Sequence, residues 1–167
     1  MSDLTKHYQT LLELDESWTV RQVDFSLQGK KVEICLEHLG GQTCPQCGAS
    51  CSQADLAPER QWRQLDTMQF QTVLRARVPR DECSVCDVKT ITLPWAGEHS
   101  RFTMLFEAFA IEVLKACANV KRAVAPLGLD WQTTHGIQER AVERGLEPRQ
   151  FDEVRRVGID EKSFRAG

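Results

Sequence analysis

The sequence predicts an α+β protein assembled from small modules. Two Cys-x2-Cys pairs stand 35 residues apart, strand-like stretches precede and separate them, and helical periodicity takes over after residue 100. A chain of 167 residues has room for one ordinary domain or for two to three smaller ones. The change of period along the chain favours the smaller modules.

The composition is that of a soluble globular protein, with 41% hydrophobic and 27% charged residues. The longest apolar stretch, 102–113, is interrupted by Glu107 and Glu112, so we expect neither a membrane helix nor a membrane partner. Residues 1–10 lack the basic start and apolar core of a secretory signal, which predicts a cytoplasmic protein.

The net charge of −3 is unevenly spread along the chain. Residues 1–38 hold four basic and seven acidic residues, whereas residues 99–150 hold seven basic and six acidic ones. A slightly positive module behind an acidic leader can still bind nucleic acid through a clustered basic face.

The first 38 residues predict a short helix followed by a β-hairpin. Apolar residues between 4 and 14 recur at helical spacing, and 20–27 and 31–36 are rich in strand formers around a glycine turn. Cys35 lies among apolar residues and is predicted to be a half-buried thiol. Its Cys-x2-His spacing to His38 is a weaker, metal-binding alternative.

The two Cys-x2-Cys pairs predict a zinc ribbon. Four thiolates from Cys44, Cys47, Cys83 and Cys86 can close a tetrahedron around a structural Zn²⁺, with a strand over 70–78 between the pairs. The residues between the first pair and Pro58 are expected to form a polar loop. Cys51 is close enough to the first pair to replace Cys47, although Pro45 and Gly48 favour the tight turn of the Cys-x2-Cys pair.

Three helices are expected after the ribbon. The first runs for about 16 residues from a cap at Ser100 or Thr103. A short helix follows over 120–125, and 126–130 forms a turn. The third begins after Asp130 as N-cap and ends at Gly145 as C-cap.

A short helix, a Gly-containing turn and a second helix predict a helix-turn-helix. The start of the second helix would face base edges, and nearby cations would contact phosphates. A helical hairpin that only packs is the alternative. The proposed base contacts are Gln132, Thr133, Thr134 and His135, and the proposed phosphate contacts are Lys121, Arg122, Arg140 and Arg144.

One ordered set of motifs resembles insertion-sequence transposases of the ISL-three type, from about residue 20 onward. The set comprises CPQCG, Trp62 to Asp66, Pro79-Arg80, Pro94 to Ala96, Arg101 to Thr103, and Gly158 to Phe164. The resemblance implies a zinc ribbon and a helix-turn-helix ahead of a ribonuclease-H-like domain. Together with the periodicity, it divides the chain into an N-terminal helix and hairpin at 1–38, a zinc ribbon at 39–97, a helix-turn-helix at 98–149 and the truncated start of the catalytic domain at 150–167.

The resemblance also implies a function, which is sequence-specific binding of duplex DNA at the terminal inverted repeats of a transposon. Asp160 matches the first carboxylate of a DDE triad that uses Mg²⁺ in the full-length enzyme. The other two carboxylates would lie beyond Gly167, so this chain alone is not expected to be an enzyme. Homo-oligomerisation stays open, and a zinc-ribbon module for protein contacts or regulation is the alternative function.

Overall fold

A computed structural model of the protein describes residues 3–40, 43–44 and 46–146. The predicted strand within 150–167, including Asp160, lies outside these residues. The elements in chain order are α1 (Asp3–Leu11), β1 (Trp18–Ser26), β2 (Lys31–His38), β3 (Ser52–Thr67), β4 (Phe70–Cys83), β5 (Asp87–Thr90), α2 (Met104–Ala116), α3 (Val120–Leu127) and α4 (Trp131–Leu146). This mixed architecture confirms the predicted α+β class.

All five strands belong to one sheet, in the order β1-β2-β4-β3, with β5 also paired to β4. The predicted hairpin forms through antiparallel β1 and β2, from Trp18 opposite His38 to Ser26 opposite Lys31. β2 then pairs parallel with β4, from Lys31 opposite Gln71 onward. Because parallel neighbours need a crossover connection, the chain passes through the first cysteine pair and β3 before it reaches β4.

The predicted polar loop before Pro58 is wrong, because residues from Ser52 onward belong to strand β3. Residues from Ser52 onward pair with β4, and register shifts occur between Gln53 and Asp55 and again between Leu56 and Glu59. Pro58 falls within the second shift. A proline donates no backbone hydrogen bond, so it is tolerated at a bulge of an edge strand. Because proline is also common in loops, its presence in the sequence suggested a loop here.

Three of the four tryptophans form the centre of the sheet's core. Trp18 and Trp62 are almost completely buried, and each packs edge-on against Trp95, with ring centroids 4.6 and 5.7 Å apart. Trp18 comes from the hairpin, Trp62 from β3 and Trp95 from the segment after β5. The hairpin and the ribbon therefore share one hydrophobic core.

The helices α2, α3 and α4 pack around a separate, smaller core built on Phe102, Phe106 and Ile137. Thr103 caps α2, because its side-chain oxygen accepts a hydrogen bond from the Phe106 amide at 3.1 Å. Asp130 accepts from the Thr133 amide at 2.8 Å, which confirms it as the cap of α4.

Two helix ends differ from the prediction. Helix α3 continues through Pro126 to Leu127 and ends on Gly128, whose φ of 62° is the left-handed conformation typical of a C-cap. Helix α4 continues through Gly145 to Leu146, so Gly145 is not its cap. Both differences extend the element by one or two residues, within the range over which helix ends fray.

The helical unit is joined to the sheet by backbone hydrogen bonds. The Arg63 amide donates to the Arg101 carbonyl at 2.9 Å, and the Thr103 amide donates to the Arg63 carbonyl at 3.0 Å. The Met104 amide donates to the Trp95 carbonyl at 2.8 Å. These bonds hold the start of α2 against β3 and fix the helices relative to the ribbon.

Candidate metal centre and nucleic-acid interface

The four predicted ligand cysteines meet at one end of the sheet. The sulfurs of Cys44, Cys47, Cys83 and Cys86 all lie within 4.8 Å of one another, and Cys47 Sγ is 3.5 Å from Cys83 Sγ. Zinc–sulfur bonds of about 2.3 Å place the sulfurs of a regular tetrahedron about 3.8 Å apart. The cluster therefore fits one Zn²⁺ with only small movements of the sulfurs.

The residue that follows each cysteine pair has the same left-handed backbone conformation. Gly48 follows the first pair with φ 72°, and Asp87 follows the second with φ 60°. Aspartate tolerates this left-handed conformation better than most residues other than glycine. Gly48 and Asp87 are therefore equivalent positions in the two pairs, although their side chains differ.

Backbone amides prepare one sulfur of each pair for the ionised state. Amides of Cys47 and Gln46 donate to Cys44 and lower the pKa of that thiol, and amides of Val85 and Cys86 help to lower the pKa of Cys83 to about 6. The hydrogen bond with Cys47, together with burial, raises the pKa of Cys86 to about 12.

The remaining cysteines lie outside this four-sulfur set. Cys35 is partly buried, as predicted, and burial raises the pKa of its thiol. His38 packs edge-on against Trp18 with ring centroids 4.8 Å apart, and it does not join the cluster. Cys51 is close enough to Cys83 for their electrostatic interaction to raise its pKa, after burial as the main cause, yet it too is outside the set.

The first turn of α4 presents the two outermost predicted base contacts. Gln132 is exposed and Thr133 is half-buried, and both line a cleft of about 440 Å³ between α4 and the segment before α2. Thr133 also donates its hydroxyl to Asp130 at 2.6 Å, which orients its side chain. This surface has the position and polarity expected of a helix that enters the major groove.

Thr134 corrects the sequence-based assignment. Its side chain is completely buried, and its hydroxyl donates to the Asp130 carbonyl at 2.8 Å. A base contact from Thr134 is therefore excluded by its position in the core. Sequence spacing marked it because it lies one residue after Thr133, but on a helix successive residues point about 100° apart.

His135 lies at the half-buried edge of the same surface. Its ring stacks on Trp131 with centroids 4.7 Å apart and an interplanar angle of 12°, and its Nδ1 is 3.5 Å from a carboxylate oxygen of Glu139. Trp131 is 51% exposed, which is unusual for a residue of this size. The pair forms a flat aromatic surface beside Gln132, which a sequence pattern of polar side chains does not reveal.

Arg140 and Arg144 are both bound to one carboxylate of the protein. The Nη2 atom of Arg140 donates to Glu107 at 2.9 Å, and that of Arg144 lies 3.1 Å from the other oxygen of the same carboxylate. Glu107 is buried, and Ser100 also donates to it at 3.1 Å. These two arginines therefore join α4 to α2, a partnership that their spacing alone could not reveal.

Lys121 and Arg122 are arranged differently. Both are exposed at the start of α3, and neither forms an ion pair with any residue that the structure describes. The Arg122 amide donates to the Asn119 side chain at 3.1 Å, which caps the helix and fixes its start. Unpaired cations on a fixed helix end are well suited to contact phosphates.

Comparison with known proteins matches both parts of this arrangement. The zinc-finger of transposase IS204/IS1001/IS1096/IS1165 matches residues 41–86, and the helix-turn-helix domain of transposase family ISL3 matches residues 91–142. The chain belongs to the ISL3-type insertion-sequence transposases. This confirms the resemblance drawn from the motifs, and the family match together with the four-cysteine cluster supports zinc binding.

Relatives of this ISL3-type chain carry transposase names. It is 33% identical over 127 residues to the transposase for insertion sequence element IS1557 from two strains of Mycobacterium tuberculosis, and 23% identical over 125 residues to that for IS1001 from Bordetella parapertussis. The alignments cover 73% and 74% of the chain but only 28% and 30% of those proteins. No solved structure gives a significant match.

The two ISL3 matches cover the cysteine cluster and the helical unit. The first spans both cysteine pairs, and the second spans all of α2 and α3 and most of α4.

Among the described residues, no helix combines the length and the apolar character needed to cross a bilayer.

Proposed function

We propose that this chain binds duplex DNA sequence-specifically at the ends of its transposon, through α3 and α4. The observation that carries the proposal is the contrast among the cations of the helical unit. Lys121 and Arg122 are exposed without an internal partner, whereas Arg140 and Arg144 are bound to Glu107. Gln132 and Thr133 stand at the start of the helix that would read base edges.

In this proposal the ribbon has a structural role and does not itself recognise bases. The proposal assigns one structural Zn²⁺ to Cys44, Cys47, Cys83 and Cys86, because four thiolates leave no open position for a substrate. The ion would hold the ends of β4 and β5 against the first cysteine pair. The boundaries at 38, 97 and 149, and a cytoplasmic location, stay predictions.

The proposal extends to longer proteins of the family. Asp160, outside the described residues, would be the first of three carboxylates that hold Mg²⁺ in a full-length transposase, and no DNA cleavage is expected from these 167 residues alone. Terminal inverted repeats are the proposed target, and self-association on paired ends stays open.

Fluorescence anisotropy with a transposon-end duplex and a scrambled duplex tests the DNA proposal. Replacing Gln132 and Thr133 with Ala should reduce the discrimination between the duplexes by about 1–3 kcal/mol. Replacing Lys121 and Arg122 with Ala should weaken binding to both duplexes, and it should lower the slope of log K against log salt by about 2, since two phosphate contacts are lost.

The matched control removes two positive charges from the N-terminal unit, as Lys6→Ala with Arg21→Ala. This variant should change neither discrimination nor the salt slope by a comparable amount. If the control and the α3 variant weaken binding equally, net charge alone explains the affinity. If the chain binds neither duplex, the helices serve packing or protein contacts and the proposal fails.

A further inference from the structure

Two clefts run together across the boundary between the ribbon and the helical unit. The first, of about 440 Å³, lies beside the start of α4. The second, of about 610 Å³, lies between the first cysteine pair, β5 and the segment that follows β5. Glu98 and His99 line both clefts. The base-reading surface of α4 is therefore continuous with a surface of the ribbon.

The shared surface is rich in basic groups. Arg60 and Lys89 line the ribbon cleft, and Arg101 and Arg140 line the cleft beside α4. Glu98 is the one acidic residue among the lining side chains that the structure describes. This concentration of positive charge stands out in a chain whose net charge is −3.

Two of these cations are free to bind an external anion. Lys89 and Arg101 are exposed, and their side chains form no ion pair with any described residue. Arg140 is bound to Glu107, and Arg60 lies over the Trp62 ring while it donates to the Ser100 carbonyl at 3.3 Å. Lys89 and Arg101 are thus the pair whose charge is available.

The segment that carries Arg101 is held rigidly. The Arg101 carbonyl accepts from the Arg63 amide at 2.9 Å, and the Phe102 amide donates to the Ser100 hydroxyl at 3.0 Å. The Ser100 amide donates to the Gly97 carbonyl at 3.1 Å. A pre-ordered segment loses little entropy when it binds, so its contacts translate more fully into affinity.

We propose that Lys89 and Arg101 form a second phosphate-binding surface, which extends the DNA footprint from the helix-turn-helix onto the zinc ribbon. The inference rests on the proposed function, since it takes the DNA on α4 as its starting point. A duplex whose major groove receives α4 continues past the helix start, where the Glu98–Phe102 segment and β5 lie. Its backbone would meet Arg101 first and Lys89 further out.

The proposal predicts a dependence on DNA length. A duplex of about 12 base pairs, roughly one helical turn, accommodates one recognition helix, whereas one of about 30 base pairs extends beyond it. The double variant Lys89→Ala with Arg101→Ala should bind the short duplex like the original chain. It should bind the long duplex more weakly, with a salt slope lower by about 2, and discriminate between sequences as before.

Hydroxyl-radical footprinting on the long duplex locates the effect. The variant should lose protection on one flank only, while protection of the segment bound by α4 persists. The Lys6→Ala, Arg21→Ala chain is the control, because it removes equal charge far from both clefts in sequence. Zinc content and thermal unfolding of each variant verify that the fold is retained.

Each outcome separates the two proposals. Unchanged affinity of the Lys89, Arg101 variant for the long duplex overturns the ribbon contact while leaving α4 as the DNA-binding element. An equal loss on both duplexes places these cations within the helix-turn-helix site and also overturns the extended footprint. Tighter binding to single-stranded RNA than to either duplex, lost in this variant, would assign the surface to another ligand.

Discussion

The ribbon and the helical unit each have a cluster of polar side chains beside a small apolar core. The charges of the two clusters are neutralised in different ways. In the helical unit the buried carboxylate of Glu107 receives Arg140, Arg144 and Ser100, all within 3.1 Å. In the ribbon four thiols face one another within 4.8 Å, and no cationic side chain is part of the set. The Glu107 carboxylate is therefore neutralised by side chains of its own chain. The four thiols instead have the composition of a binding site for a divalent cation.

Two small units in one chain therefore need not respond alike to the same stress. Ionised thiols repel one another unless a cation binds them, so the stability of the ribbon should depend on metal and that of the helical unit should not.

The largest effect is expected from loss of the proposed zinc. Cys83→Ser should abolish zinc binding, and chelation of the unaltered chain should have the same consequence, because binding to such sites is worth on the order of 10 kcal/mol. Hydrogen exchange should accelerate in β4 and β5 while the α2 amides keep their protection. Elemental analysis provides the zinc content.

Cys51→Ser is the matched control, since Cys51 lies next to the cluster but outside the four-sulfur set. It should retain one zinc per chain. Loss of zinc from the Cys51 variant, with retention by Cys47→Ser, would show that the two residues exchange roles.

A smaller effect is expected from Glu107→Ala in the helical unit. Removing one partner of a buried ion pair costs about 3–5 kcal/mol. Arg140 and Arg144 are 43% and 51% exposed and can turn to solvent, which reduces this to about 1–3 kcal/mol. Urea unfolding measures the change, and zinc content should not alter.

Glu112→Ala is the comparison for this prediction. Glu112 pairs with Lys115 on the same helix, but both side chains are at least 66% exposed, so its removal should cost under about 0.5 kcal/mol. Equal costs for the two variants would mean that Glu107 does not fix α4 against α2.

The smallest effect concerns the turns of the two cysteine pairs. Because Asp87 occupies the position equivalent to Gly48, Gly48→Asp should change zinc affinity by less than about 1 kcal/mol, whereas Gly48→Val should cost about 1–2 kcal/mol. Apart from its chain neighbours, no described residue has an atom within 4 Å of a Cβ placed there, so the comparison chiefly reports the backbone conformation. Competition with a chromophoric chelator measures the affinity, and identical losses in both variants would contradict the equivalence.

Local features of the fold were predictable from sequence. The hairpin follows from alternation around Gly29, the ribbon from the spacing of its four cysteines, and the caps of α2 and α4 from Thr103 and Asp130. Each of these depends on residues that are neighbours in sequence or belong to a strict pattern. Such information is present in a single chain.

Features that depend on distant partners were not predictable. The parallel pairing of β2 with β4 joins residues 40 apart, as in Lys31 opposite Gln71, and no local pattern specifies it. Burial of Thr134 and capture of Arg140 by Glu107 depend on how α4 packs on α2. Polarity marked both residues as DNA contacts, and only tertiary structure distinguishes an outward side chain from an inward one.

The parallel pairing also covers one edge of β4. β4 has β3 along one side, and along the other it has β2 over Gln71–Ala76 and then β5 over Arg80–Cys83. Its Val73, Leu74 and Ala76 side chains are buried. If the N-terminal hairpin were absent, the six residues of β4 that pair with β2 would present an open edge to other chains, which is the arrangement from which aggregates and swapped strands grow. The hairpin therefore makes β1, in place of β4, the outer strand over this stretch of the sheet.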